Sequence, residues 1–511
     1  MKKLIIAAIC GLTCVAGGVT AGVALNSPEY VLATSITEAV EDVFERDDIS
    51  TIIDVLEQGS VAVDCEIEDY FEFGGKMYFG LEKSKIYIEN ANLTLNNFYE
   101  DGSNYSLSAN MYLSEDMMYI ENDKYLDGAY GIKLKNLSEQ FRNSILYEDS
   151  EFSVPKEYRD MIENLLDYYE NEYQDLQKDS EKLIKKYLKQ AGKAIKKHGE
   201  FDSETKNVSL NDERSKKRVV TLKLDEDAIA SIVEDLIDYV IDDKDLEKFI
   251  ETHVGNLSEV MGDYISSESM DASDIYDQII NALEELEDEA DSIRDLDFEV
   301  TIKAVTPKLT TKLLKLEVEV ENNGYETSFE IDFGSKGVKK SECIEVSVDN
   351  DKIASYEVKE NSKDKFQAEV ALYGTYNNKT EKEFSVEYTL NKSGNKFSIN
   401  VVDGEFEVLS IKGKAEIDGK STTFKVKECV VNEAREYYNY DLGTWVTDVE
   451  SYDYLENIDL TITVSTKDKM PKPNKDFNNI LEITEAKIRK IIEKFEEDEA
   501  LDQLFNGPAE K

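Results

Sequence analysis

The chain has 511 residues, with 109 Asp and Glu against 59 Lys and Arg, for a formal net charge of -50. That acid excess argues against a nucleic-acid binder and against a coat for anionic lipid headgroups, since both need basic patches. It suits a soluble exported body.

The chain opens with Lys2-Lys3 and an apolar run of 22 residues, Leu4 to Leu25, free of acidic side chains. A secretory signal core covers only about 7–15 residues. At 1.5 Å per residue this run can cross a hydrocarbon core of roughly 30 Å. Val19-Thr20-Ala21 offers small residues at a cleavage position, so a retained single span and a cleaved signal both fit, with the span preferred. Either way the two lysines stay cytoplasmic and the body is exported. The expected location is the cell membrane, single-pass, with an extracellular body. Cys10 and Cys14 lie within the run but match a lipoprotein cleavage signal poorly. Small apolar residues of a membrane helix explain them better.

Ser27-Pro28-Glu29 combines a cap, a proline at the first helical position and an acid in the first turn. A helix carrying Leu32, Ile36, Val40 and Val43 should follow, then a second from Asp48 with Ile49, Ile53 and Leu56, ending at Gly59. Residues 60–126 switch to period two. Val61, Val63, Cys65 and Ile67 alternate with polar residues, and so do Met77, Phe79 and Leu81. Tyr105, Leu107, Ala109, Met111 and Leu113 alternate most cleanly, which predicts one face against helices and the other, with Ser106, Ser108 and Asn110, in water. A short helix with Leu137, Phe141 and Ile145 follows. Pro155 opens a long helical stretch to about His198, and a hairpin around Asn211-Asp212 leads through Arg218–Leu224 into a helix over Asp227–Ile241. Another helix covers about Ser273–Ile293.

From about residue 296 the pattern is nearly all strand. Hairpin turns are expected at Asn323-Gly324, Ser393-Gly394 and Asp418-Gly419, each between alternating runs. After Pro471 and Pro473 comes a terminal amphipathic helix, about Asn478–Phe495. The domains read as 1–25 anchor or signal, 26–295 a sheet-plus-helix lobe with a helical insert at about 155–295, and 296–511 a strand-rich lobe with a C-terminal helix.

Traces of catalysis are few. His198 and His253 are the only histidines and form no zinc-binding pair. His198 closes a lysine-rich helix end, where a cation meets the helix dipole. No nucleophile elbow or Cys-His pair occurs. Gly413–Ser421 resembles a phosphate-binding loop but has five residues between its glycines and lies in a hairpin. Carboxylates are too many for a catalytic pair to be chosen. Three cysteines beyond residue 25, Cys65, Cys343 and Cys429, cannot frame this body with disulfides, and Cys65 belongs on a buried strand face. Tyr437-Tyr438-Asn439-Tyr440-Asp441-Leu442-Gly443-Thr444-Trp445 is the conspicuous aromatic cluster. It fits a loop that binds sugars or a partner, and fits better a loop pinned onto the core by its rings. No catalytic, cofactor or metal residue is assigned.

Ser27-Pro28-Glu29, the stretch Val219–Asp227 entering a helix, and Ile480-Leu481-Glu482-Ile483-Thr484-Glu485 together resemble a group of clostridial-type, membrane-anchored cell-surface proteins. These carry half-barrels related to the lipoprotein-carrier fold. The resemblance spans nearly the whole exported chain; the missing lipoprotein signal departs from the lipoprotein relatives. It implies a curved antiparallel sheet around helices, sometimes with an apolar cavity, and no reaction.

The reading is therefore an α+β protein of curved antiparallel sheets on helices, in two lobes with a helical insert. Its expected function is non-enzymatic binding of a hydrophobic ligand or surface partner, with no cofactor. The alternative is a surface hydrolase of polysaccharide or peptide using paired carboxylates. If a cavity exists, Phe384 and Val386 with Phe397 and Ile399 should line it.

Protease added to intact cells should remove the body and leave a cytosolic control untouched. Survival of both would refute the topology, and release of a chain starting near Gly22 would select signal cleavage.

Overall fold

Ser27 starts the first helix as its sequence demands: its Oγ accepts from the Tyr30 N–H at 3.3 Å, and helix α1 runs from Pro28 to Phe44. The computed structural model describes residues 27–498 except 45–46, 68–69, 81–83, 97–102, 149, 172, 211–212, 266–271, 334, 337–340, 377–378, 440–443 and 454–457. The Leu4–Leu25 run lies outside these residues. Among those described, no helix is long and apolar enough to cross a membrane.

The architecture is α+β, with helices and a mostly antiparallel open sheet. The chain divides into two compact units. One takes in Met1–Arg46, Gln174–Tyr388 and Val402–Glu405; the other takes in Asp47–Tyr173, Thr389–Val401 and Phe406–Lys511. The sequence boundary near 295 falls inside the first unit, and the helical insert is shared between the two.

In the second unit, helix α2 (Asp47–Gln58) has the expected limits; among its described side chains Val55 is buried while Ile52 and Leu56 are exposed, and the side chain of Ile49 lies outside the description. Strands β1 (Ser60–Ile67), β2 (Phe71–Gly80), β3 (Lys85–Leu95), β4 (Tyr105–Leu113), β5 (Met117–Glu121) and β6 (Ala129–Lys133) follow as an antiparallel meander. Helix α3 (Leu137–Arg142) buries Leu137 and Phe141 as predicted. The expected helical stretch is present as α4 (Lys156–Asn171) and α5 (Tyr173–His198), on either side of residue 172, which lies outside the described residues.

In the first unit, α5 leads into β7 (Glu200–Leu210) and β8 (Glu213–Asp225). Asp225 then caps helix α6 (Glu226–Ile241) by accepting from the Ala228 N–H at 2.8 Å. Helix α7 (Lys244–Ile265) has no counterpart in the sequence reading, whereas α8 (Ala272–Ile293) does. Buried Asp243 ties this layer together, taking Lys186 Nζ at 2.5 Å, the Tyr187 hydroxyl at 2.9 Å and the Asp245 N–H at 2.9 Å. The Arg294 guanidinium grips both Glu234 oxygens, at 2.5 and 2.7 Å.

Strands β9 (Phe298–Thr306), β10 (Lys315–Asn322) and β11 (Tyr325–Asp332) extend the sheet from β8. Its ladder puts Val220, Ala304, Leu316 and Ile331 in one row and Leu222, Ile302, Val318 and Phe329 in the next. These rows bury α1 through Val31, Leu32, Ala33, Ile36 and Ala39. Asn323 (φ 51°) and Gly324 (φ 76°) make the hairpin turn in the left-handed conformations its type needs.

After β12 (Ser335–Lys336), strands β13 (Ser341–Val348), β14 (Asp351–Asn361) and β15 (Lys365–Tyr376) continue the antiparallel order. Between β16 (Lys379–Asn391) and β17 (Lys396–Asp403) the positive φ falls on Asn395 rather than on Gly394. Asn391 Oδ1 holds that loop by accepting from the Gly394 N–H at 2.9 Å.

Strand β18 (Phe406–Asp418) turns at Gly419 into β19 (Ser421–Asn439). Strands β20 (Thr444–Asp453) and β21 (Ile458–Ser465) return along the other edge of β19, and β21 joins β1. The terminal helix is shorter than predicted. Asn478 and Asn479 form β22 in parallel with β6, Ile480–Glu482 is a 3-10 turn, and α9 spans Glu485–Glu496.

Because Leu32 is fully buried against the sheet, Leu32→Ala should cost about 2–5 kcal/mol in denaturant unfolding. Asp42→Ala, on an exposed position of the same helix, should stay within about 0.5 kcal/mol. Equal losses would refute α1 as a core helix.

Candidate functional site: an open aliphatic sheet face

Directly paired residues of an antiparallel ladder share a face, so the register of β1–β6 sorts their side chains. One row holds Val61, Met77, Ile88, Met111 and Ile120; the next holds Phe79, Ile86, Leu113, Met118 and Ile132. Both rows are free of charge, and both become more exposed toward β4 and β5. Met111 and Leu113 are 46% exposed, Met118 41% and Ile120 37%. This face, rich in methionine and isoleucine, is the largest departure from burial that the ladder displays.

The opposite face is closed by rings. Tyr78, Tyr87, Tyr112 and Tyr119 are successive partners across β2–β5, with neighbouring ring centroids 6.0, 6.2 and 5.4 Å apart. Phe477 stacks on Tyr119 at 5.8 Å, and the Asn474 N–H donates to the Tyr119 hydroxyl at 2.9 Å. Gly131 sits opposite Tyr119, where a Cβ would lie 2.5 Å from the tyrosine's own Cβ. Only glycine fits there. The Tyr78 hydroxyl donates to Glu89 at 2.8 Å. Burial pushes Tyr87 up to about 12, with smaller contributions from Tyr119 and Glu89, and burial also raises Tyr119.

Here the one-sided reading of β4 is corrected. Leu107 and Ala109 are half-buried on the expected face, but Met111 on that face is exposed and Asn110 on the other is half-buried. The two faces are covered at opposite ends of the strand. Tyr105 is buried by its 2.9 Å hydrogen bond to Tyr125, whose ring stacks 4.3 Å from Phe495 of α9. Tyr112, seven residues on and on the other face, is buried in the ring ladder.

The residues proposed as cavity lining are divided. Phe384, exposed, and Val386, half-buried, belong to the first unit. Phe397 and Ile399 belong to the second, in a small core with Ala415 and Val426, where Phe397 meets Phe424 edge-on at 5.1 Å. Leu4 and Leu25 of the membrane segment lie outside the described residues. Cys65 and Cys343 are buried and Cys429 is half-buried, and none of the three is in a disulfide.

Each histidine has its own carboxylate. His198 Nε2 lies 2.8 Å from Asp235, which also binds Lys197 and is held below its ordinary range by that lysine. Buried His253 lies 3.5 Å from Asp179 and 4.8 Å from the Phe249 ring. Among the described residues, no three His, Cys, Asp or Glu side chains group as metal ligands would.

The closest approach to paired catalytic carboxylates is on β10. Lys303 Nζ lies 2.8 Å from Glu317 and 2.5 Å from Glu319, while Lys315 reaches Glu330 at 2.8 Å. Against the effect of burial, hydrogen bonding with Glu319 and the Lys303 ammonium draw Glu317 down to about 2; burial and Glu317 raise Glu319. Every carboxylate of this row meets an ammonium, which is how a salt-bridged sheet face is built.

No family model matches the sequence, and neither a curated protein nor a solved structure does. The alternation of Met77, Met111 and Met118 was the available signal for the open face: methionine suits adaptable apolar contact.

The buried phenol of Tyr87 gives the ring ladder a pH signature. Its pKa of about 12 in the folded protein exceeds the unfolded value of about 10. The stabilisation is therefore complete below pH 10 and is lost as pH rises toward 12, because the unfolded chain ionises first. In Tyr87→Phe the decline in unfolding free energy between pH 10 and 12 should be smaller, by on the order of 2 kcal/mol. Parallel declines in the two proteins would refute the buried ladder.

Proposed function

We propose that this protein binds a hydrophobic ligand on the aliphatic face of its second unit and performs no chemistry on it. The observation that carries the reading is the adjacency of Met111, Leu113, Met118 and Ile120, each more than a third exposed, on a face whose reverse side is sealed. A contiguous exposed apolar patch marks a binding surface. The fitting ligand is an acyl chain: the exposed Met111, Leu113, Met118 and Ile120 offer methyl, methylene and thioether groups and no charge.

The resemblance to lipoprotein-carrier half-barrels supports the same class of ligand. Each unit contains an antiparallel sheet with an apolar face and helices before it, which is consistent with two half-barrel lobes. The apolar run behind Lys2-Lys3 supports an envelope protein held at the membrane with its body outside. The hydrolase alternative would use Glu317 and Glu319, whose carboxyls are driven in opposite directions, as an acid–base pair requires. Their shared ammonium makes the structural role the better account.

Purified protein should co-isolate with an extractable lipid by native mass spectrometry, or displace a fluorescent fatty-acid probe. Met111→Thr/Ile120→Thr, which adds no charge to this cross-strand pair, should weaken probe binding at least about tenfold, since several apolar contacts are lost. It should leave the unfolding midpoint nearly unchanged, because both side chains are exposed. A clean apo mass with no probe displacement, or equal binding by the variant, would overturn the proposal. Cleavage of a glycan or peptide lost in Glu319→Gln would establish the hydrolase.

A further inference from the structure

The acidic average of the chain conceals one local reversal. Strand β9 pairs with β8 only from Arg218 to Asp225, yet β7 and β8 stay paired for further rungs, Lys206↔Lys217 to Leu210↔Glu213. These rungs form a two-stranded ribbon reaching about 17 Å past β9 at 3.4 Å per residue. Among the described residues no third strand pairs with it. With the last rung that β9 shares, Thr205↔Arg218, it carries Lys206, Arg214, Lys216, Lys217 and Arg218 against a single acid, Glu213. The whole chain has 109 acids to 59 bases.

Directly paired residues share a face, so Thr205/Arg218, Asn207/Lys216 and Ser209/Arg214 form one side of the ribbon. That side holds three cations in a row, each about 6.8 Å from the next by the rise of two residues. Three neutral hydrogen-bonding residues stand opposite them, and no acid does. The other side has Lys206/Lys217, Val208/Ser215 and Leu210/Glu213, with Lys206 bound to Glu204 at 2.9 Å. Arg214 and Lys216 are exposed, and no described carboxylate pairs with either. Arg218 donates to neutral groups, Thr306 Oγ1 at 3.2 Å and the Thr310 carbonyl at 2.7 Å, which orient it without cancelling its charge. Charge of either sign can protect a sheet edge, and acids are the commoner choice in this chain. The Lys206↔Lys217 rung even sets like charges directly opposite, which destabilises a ribbon. Cations gathered at that cost suit an anionic partner.

We propose that this side of the β7–β8 ribbon binds a flexible linear polymer of repeating phosphates, laid along Arg214, Lys216 and Arg218. Arginine matches phosphate oxygens with a bidentate fork, and lysine adds a point charge. Thr205, Asn207 and Ser209 supply neutral donors beside them. The ribbon has no aromatic residue, whereas single-stranded nucleic acid is held by bases stacked on rings; the partner is therefore a chain without bases. The ribbon also outreaches the Debye length of about 8 Å, so a thin chain on it escapes most of the field of the acidic body. A duplex or an anionic bilayer is broad enough to meet that body and be repelled.

Fluorescently labelled long-chain inorganic polyphosphate should bind the full-length protein at low salt. Log Kd should rise with log salt at a slope of about 2, as for three phosphate contacts on a single strand. Arg214→Ser/Lys216→Ser should weaken binding at least about tenfold and reduce the slope to about 0.7. Lys182→Ser/Lys185→Ser removes the same charge from α5, where these lysines pair with Asp179 and Glu181, and should leave Kd and slope nearly unchanged. Both variants should keep the unfolding midpoint, because all four side chains are exposed. Absent binding, a slope that survives in the ribbon variant, or an equal loss in the α5 variant would overturn the proposal. So would tighter binding of duplex DNA or phosphatidylglycerol vesicles through the same two residues, or self-association of the protein that the ribbon variant abolishes.

Discussion

One extra residue in β3 decides what both faces of the second unit's sheet present. Ile88 pairs with Met111 and Ala91 with Ala109, so three steps along β3 match two along β4. Asn90 takes up the difference at φ 50°, its N–H donating to Asn110 Oδ1 at 2.8 Å and its carbonyl accepting from the Asn92 side chain at 2.9 Å. Asparagine tolerates that left-handed conformation better than most residues. Without the bulge, Ile86 and Ile88 would turn to the ring face and Tyr87 to the aliphatic one. The tyrosine ladder would lose its second member, Glu89 would interrupt the Met77–Met111 row and Tyr87 the Phe79–Leu113 row.

The two faces are then stabilised unequally. Tyrosines combine large buried area with a hydroxyl that must find a partner or remain protonated. On the ring face Glu89 and the Asn474 N–H meet the hydroxyls at the two ends of the ladder, and Phe477 closes it. The aliphatic face makes no comparable demand for a lid, since its side chains have no polar group to satisfy. Its exposure forgoes hydrophobic stabilisation of roughly 25 cal/mol for each Å² left in water. A ligand that covers it restores that term at the moment of binding.

Local structure was legible where one signal sufficed. Ser27-Pro28-Glu29 marked α1, Asp225 entering α6 was foreshadowed by the strand before it, and Asn323-Gly324 marked a turn whose two left-handed dihedrals few other pairs adopt. The Asp418-Gly419 signal lay one residue early, since Asp418 pairs with Ser421 and Gly419-Lys420 make the turn. What failed depended on partners distant in sequence. Alternation assigns Met111 to a face but cannot say that cover ends beside Leu107. Gly394 looked like the turn residue, yet the Asn391 side chain shapes the loop so that Asn395 takes the positive φ. Asn478 and Asn479 pair with β6 before any helix can start. Helix α7, by contrast, was legible and was missed: Leu246, Phe249, Ile250, Val254, Leu257 and Met261 recur at helical spacing. The division into units follows long-range pairing, so no composition change marks it. Phe397 fills a core because Ala415 and Val426 come beside it through the β18–β19 hairpin, a neighbourhood alternation cannot reveal.

The large negative charge is the physical counterpart of an open apolar face. An aliphatic sheet surface left in water invites association between copies, and an unpaired strand edge does the same. Among the described residues β7 pairs only with β8, and its exposed Glu200, Asp202 and Glu204 stand along that edge. A charge of -50 on every copy opposes encounter over about a Debye length, near 8 Å at physiological ionic strength. A neutral acyl chain is not subject to that repulsion. Acidity therefore acts selectively on what could cover this surface: it disfavours a second copy and does not repel an uncharged group. The composition that says least about chemistry thus helps explain how a methionine-lined face can remain open.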